Sequence, residues 1–379
     1  MRIGINASSI GQTQFTGIGH YTQNLIWALS EIDNLNTYRI YGPRLNSNDL
    51  AIKNKNFDIV SMPEAIKLKS IWYSWYLWHY SFFPVQLIKD KLDNYLSTMP
   101  ALPIYCPSPR VVVIHDIIPI ILPQTHSTRY EMIFKMEIAH ALKYASGIIA
   151  DSNSTKQDLV KHFHLEPSRV VVIYPGYDNK LFSPVTDEAL IERVMHKYEI
   201  NEKYILFIGV IVPRKNIERL IKAYRLLKKK GLIKHKLVIA GPKGWLYEGI
   251  YKLVHDLELD GDIIFTGYVS DEDLPVLLSN AEVFVCPSLY EGFGIPPLES
   301  MACGTPVVVS TASSLPEVVG DAGITVDPYN VEAIAEAIHS VISDAVLQGQ
   351  MRRKGLERAR LFSWEKAARQ TLEVLENTA

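Results

Sequence analysis

Two cations, two carboxylates and a histidine, each placed just after a strand-like apolar run, are the residues of this chain best suited by type and spacing to chemistry. The run 204–209 leads into Val210-Ile211-Val212-Pro213-Arg214-Lys215-Asn216, and a helical pattern starts near Asn216. Positive charge at a helix N-terminus is disfavoured by the helix dipole by about 0.3–1 kcal/mol per charge. A bound diphosphate reverses that sign, because charge-assisted hydrogen bonds contribute about 1.5–3 kcal/mol apiece. Arg214 and Lys215 therefore read as an anion site, set against the ordinary alternative of two solvated surface charges.

The strongest pattern is Cys286-Pro-Ser-Leu-Tyr-Glu291-Gly-Phe-Gly-Ile-Pro-Pro-Leu-Glu299-Ser-Met-Ala-Cys-Gly304. A strand ends near Ser288, a glycine-rich loop follows, and Pro296 falls in the first turn of a helix, where proline is accepted. Phe293, Gly294 and Ile295 can each aim a backbone N–H at a ligand, whereas Pro296 and Pro297 cannot. Glu291 and Glu299 admit three readings: unrelated surface charges, the acid/base couple of a hydrolase, or acceptors for a hydroxyl-rich ligand such as a sugar and a ribose. The flanking glycines and prolines weigh against chance, and a neighbouring phosphate-type site fits hydroxyl recognition best.

Three further segments end at the same kind of edge. His115 closes the run 111–115 ahead of Asp116, where a histidine is as readily structural as catalytic. Ser313, Ser314 and Leu315 follow another strand and bring small polar groups and backbone amides. Near the N-terminus, Thr16-Gly17-Ile18-Gly19-His20-Tyr21 opens a helix whose free N–H groups attract an anion. Thr22 stands where a dinucleotide fingerprint needs its third glycine, and no GxxxxGK[ST] loop occurs, so neither nicotinamide nor a Walker-type site is supported.

The elements that must position these groups alternate between β-branched runs and helical patterns. Strands are expected at 2–7, 37–41, 57–60, 95–97, 111–115, 147–151 and 170–174, then at 204–209, 236–240, 262–266, 282–286, 306–310 and 323–326. Several are continuous apolar runs, as strands covered on both faces should be. The repeated alternation implies βαβ units and two doubly wound parallel sheets, with ligands at the carboxyl ends of the strands. Tyr174-Pro175-Gly176-Tyr177-Asp178 is the seam, giving an N-terminal domain to residue 178 and a C-terminal domain from 179.

Composition agrees. At 379 residues the chain exceeds one ordinary core and fits two domains. With 47% hydrophobic and 21% charged residues it is globular, and a net charge of −2 lacks the surplus of a nucleic-acid binder. Cys106, Cys286 and Cys303 are the only cysteines, which excludes a disulfide scaffold and a structural zinc site and suits a reducing compartment. The chain opens as a strand without an export pattern, so a cytoplasmic protein is expected. Residues 71–88 (IWYSWYLWHYSFFPVQLI) carry no formal charge and three of the six tryptophans. The polar residues within them argue against a spanning helix. A buried aromatic helix, an acceptor pocket and a peripheral contact with a lipid surface all remain open.

Taken together, Thr16–Tyr21, His115-Asp116, Gly209 with Arg214-Lys215-Asn216, Glu291 to Glu299, and Ser313-Ser314-Leu315-Pro316-Glu317 resemble glycosyltransferase family 4. These are retaining, nucleotide-sugar-dependent enzymes with the GT-B fold, two Rossmann-like domains facing across a cleft. The resemblance spans nearly the whole chain. Within the family the Pro-Arg-Lys-Asn loop and the Glu-Gly-Phe-Gly-Ile-Pro-Pro-Leu-Glu run are most similar to bacterial mannosyltransferases of surface-polysaccharide assembly. It implies that Arg214 and Lys215 hold the donor diphosphate and that Gly17 and Gly19 let the N-terminal domain approach it. Glu291 and the amides of Phe293, Gly294 and Ile295 would read the donor sugar, and Glu299 the ribose hydroxyls. His115 would meet the sugar near the reacting carbon, backbone at Tyr268 and Val269 the base, and the Ser313–Leu315 turn the donor. Residues 363–379 would return to the N-terminal domain.

The implied reaction needs no metal or other cofactor. Two cations and a helix N-terminus stabilise the leaving nucleotide, and the donor phosphate takes the proton of a saccharide or lipid-linked acceptor. GDP-mannose is the donor this resemblance favours. Val210 departs from the arginine many members carry after the strand glycine, and His20 from a commonly basic position. Two other functions compete on the same scaffold: a sugar-nucleotide 2-epimerase, and a non-catalytic nucleotide-sugar-binding subunit.

Overall fold

In the computed structural model, residues 1–10, 17–42, 45, 50, 52–61 and 81–379 are described. The chain divides into two compact units, Met1–Gly176 with Ser363–Ala379, and Tyr177–Phe362. The division falls within the Tyr174–Asp178 seam, two residues before the boundary at 178 expected from the sequence.

The first unit is built on β1 (Arg2–Asn6), β2 (Thr37–Gly42), β3 (Phe57–Ser61), β4 (Asn94–Ser97), β5 (Arg110–Ile114), β6 (Gly147–Ala150) and β7 (Val170–Val172). Every pair is parallel and the order is β3-β2-β1-β4-β5-β6-β7. The apolar runs have this form because side chains alternate between two covered faces. In β5, Val111 and Val113 pack with Leu25 and Leu29 of the helix Gly17–Ile32 and with Ala368 and Leu375 of the helix Trp364–Thr378. Val112 and Ile114 pack on the other side with Phe83, Leu87, Ile138, Leu142 and Leu159.

Sheet closure depends on the returning C-terminal helix. Asn94 Nδ2 donates to the carbonyl of Leu375 and to Thr378 Oγ1, both at 2.8 Å. Gly176 is required at its place: a Cβ there would lie 2.2 Å from the Trp364 nitrogen and 2.5 Å from the Ser363 carbonyl carbon.

The second unit contains β8 (Tyr204–Ile208), β9 (Lys236–Ala240), β10 (Ile263–Gly267), β11 (Val283–Cys286), β12 (Val307–Ser310) and β13 (Ile324–Val326), all parallel. Their order is β10-β9-β8-β11-β12-β13. In each sheet the order reverses beside the first strand, between β1 and β4 and between β8 and β11. Helices leave opposite faces at such a switch point and open a crevice beyond the carboxyl ends of the two strands. The segments 209–216 and 287–294 both leave the second unit's switch point.

Of the aromatic stretch 71–88, residues 71–80 lie outside the described residues. In the helix Phe83–Asp90, Phe83 and Leu87 enter the core while Phe82, Val85 and Ile88 are exposed. Among the described residues no helix is long and apolar enough to cross a membrane.

Because backbone of the 363–364 turn, and not a flexible side-chain end, occupies the space beside Gly176, Gly176→Ala should lower stability by at least the about 1–3 kcal/mol typical of overpacking. A shift of the urea midpoint to lower concentration checks this.

Candidate functional site

The second unit's switch point gathers three of the four charged residues singled out above. After β8 the chain makes a tight 3-10 turn, Pro213–Lys215, before the helix Ile217–Lys229 begins. Arg214 and Lys215 thus precede the helix, as its expected start near Asn216 implies. Asn216 separates the two elements in a left-handed conformation (φ 58°), which asparagine tolerates better than most residues. Its side chain is buried, and Nδ2 donates to the carbonyls of Pro287 at 2.9 Å and Pro328 at 2.7 Å. The 209–216 segment is thereby stitched to the loop after β11. The Leu289 N–H adds a second stitch, donating to the Arg214 carbonyl at 2.8 Å.

Glu291 receives both cations. Lys215 Nζ lies 2.6 Å from Oε1, and Arg214 NH1 lies 2.8 Å from Oε2 and 3.1 Å from the Tyr290 carbonyl. The side chains of Lys215 and Glu291 are 9% and 10% exposed and that of Arg214 is 25% exposed. Gly209 (φ 150°) makes room for the lysine, since a Cβ there would stand 3.3 Å from Lys215 Cε. Burial opposes the charge on Glu291, but Lys215 and then Arg214 outweigh it and hold the carboxyl down at about 2. Taken as a trio, two cations and one carboxylate carry a net positive charge. The cluster is chemically suited to a second anion.

The glycine-rich loop is braced from behind. The Glu291 N–H donates to Ser313 Oγ at 2.8 Å, and Ser314 Oγ bridges the carbonyls of Glu291 at 2.9 Å and Phe293 at 2.6 Å. Leu315 crowds Gly294, whose φ of 107° and missing Cβ (2.8 Å from Leu315 Cδ2 if present) make glycine obligatory. Ser313 and Ser314 thereby shape the loop. Phe293 is buried edge-on to Phe362, with ring centroids 5.7 Å apart. Gly294 is the N-cap of the helix Ile295–Ala302, and Ile295 begins it.

Glu299, on that helix, differs in kind. It is half-buried and makes no side-chain hydrogen bond or ion pair among the described residues. Burial, helped by Asp271 and Asp178, pushes its carboxyl up to about 8. At neutral pH it is an uncharged acid, whereas Glu291 is an anion. Tyr268 stands exposed after β10 and Val269 is buried beside it.

His115 belongs to the first unit, after β5. Nδ1 lies 2.6 Å from Asp151 Oδ2 and Nε2 lies 2.8 Å from the Thr98 carbonyl oxygen. Thr155 Oγ1 donates to the His115 carbonyl at 3.1 Å, and the Tyr21 ring meets the imidazole edge-on at 4.6 Å. Burial works against its protonation, but Asp151 prevails and raises its pKa. Gly17 and Gly19 are within the first turn of the helix Gly17–Ile32, not in a loop ahead of it. A Cβ on Gly17 would meet nothing within 4 Å.

Sequence reasoning missed Asn216 as the stitch between two loops and Asp151, Thr98 and Tyr21 as partners of His115. Asn216 carried a usable signal, an asparagine between a short turn and a helix. The partners of His115 carried none beyond Asp151 closing a strand. Among the described residues no group of three or more His, Cys, Asp or Glu is arranged to hold a metal ion.

Doubly wound α/β units with a charged switch point serve many enzyme classes, and comparison with known proteins narrows the choice. The family described as "Glycosyl transferases group 1" matches residues 191–360 and "Glycosyltransferase Family 4" matches residues 17–181. The O-antigen chain mannosyltransferase B of Escherichia coli is 36% identical over 69% of this chain and 68% of its own. The serotype-specific mannosyltransferase WbdA of the same species is 29% identical over 77% of this chain and 36% of its own, so this chain spans about a third of that relative. A sucrose-phosphate synthase from Thermosynechococcus elongatus superposes with a TM-score of 0.79 over 99% of this chain and 98% of its own. At 21% identity that last likeness is one of fold, the two-domain α/β fold of GT-B glycosyltransferases. The chain belongs to the glycosyltransferases of family 4.

Removing one member of a buried ion pair leaves the other charge uncompensated, at a cost of about 3–5 kcal/mol. Glu291→Ala should therefore destabilise the second unit by roughly that amount, and Arg214→Ala by less, its side chain being the more exposed. Chemical denaturation of the two variants beside the wild type measures the difference.

Proposed function

We propose that this chain is a retaining hexosyltransferase that moves mannose from GDP-mannose to a saccharide or lipid-linked saccharide in surface-polysaccharide synthesis. The observation that carries the reading is the Arg214–Lys215–Glu291 cluster at the switch point of the second unit. Departure of a nucleoside diphosphate builds negative charge on its bridging oxygen. Preorganised cations in a largely water-excluded position stabilise that charge without reorganising, typically by several kcal/mol. Lys215 acts as a point charge, fixed by Glu291 and by the space over Gly209. Arg214 adds the second cation, on a planar guanidinium. Glu291, tied to both, orients them. No step is assigned to a metal or other cofactor.

The mannosyltransferase relatives support the sugar, and the family supports a nucleotide-linked donor. Glu299 supports the ribose assignment by its chemistry: an unpartnered carboxyl on the helix beyond the loop is free to accept from a vicinal diol. The exposed Phe82, Val85 and Ile88, next to Lys89, support a peripheral contact with a lipid surface where such an acceptor would reside.

Release of GDP from GDP-mannose, compared with UDP release from UDP-glucose, tests the donor. Wild type should prefer GDP-mannose and require an acceptor. Lys215→Ala and Arg214→Lys should each lose about 10²–10³-fold in kcat. Undiminished turnover in both variants would sink the site assignment, and an epimerised nucleotide sugar formed without acceptor would replace transfer by epimerisation.

Glu299 gives the reading a pH signature. Its carboxyl is raised to about 8, so below that pH a proton must leave before two hydroxyls can donate to it. GDP should bind more tightly as pH rises from 6.5 to 8.5, by at most about tenfold per pH unit for one released proton. Glu299→Gln should flatten the slope, which calorimetric titration across that range would show.

A further inference from the structure

The environment of His115 constrains its charge more tightly than the sugar contact implied by the family resemblance would require. A neutral imidazole has one N–H and one lone pair. Both ring nitrogens here face oxygens within hydrogen-bond distance, Asp151 Oδ2 at 2.6 Å and the Thr98 carbonyl at 2.8 Å. A carbonyl only accepts, and so does an ionised carboxylate. A neutral ring would have to turn its lone pair toward one of them and leave a buried acceptor facing a buried acceptor. Placing the proton on Asp151 instead would put it on the weaker base, since the unperturbed values are about 3.9 for aspartate and 6.5 for histidine.

We propose that Asp151 holds His115 as a fixed imidazolium, so that the ring supplies positive charge at the carboxyl edge of the first sheet and never acts as a proton acceptor. Asp151 is then a positioning residue: it acts through the ring and fixes its protonation and orientation together. The surroundings are consistent on every side. The helix Gly17–Ile32 contributes Tyr21, whose buried hydroxyl is pushed well above its ordinary pKa by burial and then by Asp151, and so stays neutral. The loop after β4 contributes Thr98, the helix Asn153–Phe163 contributes Thr155, and the loop after β5 contributes Asp116. The charged groups acting on the ring, Asp151 and Asp116, are both acidic and both favour its proton. Asp151 Oδ1 is itself buried without a partner among the described residues, which makes the carboxylate depend on the ring for its compensation.

The consequence for transfer rests on the reading given under Proposed function. A ring with both nitrogens engaged cannot take the acceptor's proton. In the donor-sugar contact that the family resemblance implies for His115, a cation would oppose positive charge on the sugar and favour negative charge on a departing phosphate oxygen. The proton of the acceptor must then go to the donor phosphate or to another group.

Nitrogen-15 NMR of the full-length protein with labelled histidine reads the ring state directly, the resonance being identified by its loss in His115→Gln. Both His115 nitrogens should carry protons at pH 8, where an unperturbed histidine is neutral. A neutral tautomer there would overturn the proposal. Asp151→Asn keeps the shape of the side chain and can donate to Nδ1. The ring in this variant should titrate as an ordinary histidine, and a ring still doubly protonated at pH 8 would remove Asp151 from the role. In the transfer assay Asp151→Asn should lower kcat at least tenfold with little change in KM and move the alkaline limb of the pH profile to lower pH. Unchanged kcat and pH profile would leave Asp151 purely structural and refute the positioning role. Should the wild type turn over no nucleotide sugar, the reading of function fails while the NMR still decides the imidazolium. If Asp151→Asn does not fold, the wild-type spectrum decides it alone.

Discussion

One carboxylate gripping two cations is the interaction on which the second unit's site depends. Lys215 and Glu291 are both about nine-tenths buried, and neither could be charged there without the other. Such a pair contributes little net stability compared with apolar packing, because desolvation consumes most of the attraction. Its value is geometric. The pair, with Arg214 on the same carboxylate, fixes an ammonium and a guanidinium at the crevice where the sheet order reverses. A protein selected for stability alone would have no reason to keep them there.

The structure around the pair holds that geometry against alternatives. The loop bearing Glu291 and the turn bearing the cations come from β11 and β8, which are adjacent in the sheet although the residues are 76 and 77 positions apart. Adjacent strands alone do not set side-chain positions to a fraction of an ångström. Asn216 and the Leu289 amide join the two segments, and Ser313 and Ser314 hold the loop from the β12 side. Each of these bonds satisfies backbone groups that a buried loop would otherwise leave orphaned. Satisfying the backbone and positioning the site are the same act here.

Much of this was legible before any coordinates. The strands were readable because parallel strands covered on both faces are continuous apolar runs, and their predicted limits stand within a few residues of the observed ones. Arg214, Lys215 and Glu291 were readable as chemistry because polar residues directly after such runs have few structural reasons to be there. Their mutual contact was not readable, since it depends on which strands neighbour each other, and strand order is not written in any local pattern. The 3-10 turn before Asn216 was also hidden, because Pro213 is compatible with either helix type. His115 shows the limit most clearly. Its partners lie 17 and 36 residues away, and only the sheet brings them together, so a lone strand-end histidine gave no means of choosing between a structural and a catalytic part.

The two glutamates carry the argument one step further. Glu291 and Glu299 have the same side chain, eight positions apart, and the fold gives them opposite charge states: one held at about 2 by two cations, the other pushed to about 8 by burial beside acidic neighbours. Environments that drive like groups apart mark separate duties. An anion that must orient cations has to remain ionised at every working pH, which Glu291 does. A group that must recognise hydroxyls without repelling an incoming polyanion does better to arrive neutral and lose its proton only when the hydroxyls are in place. The two carboxyls thus differ in what they present: at Glu291 a fixed anion already engaged by cations, and at Glu299 an acid that becomes a full acceptor only as it loses its proton.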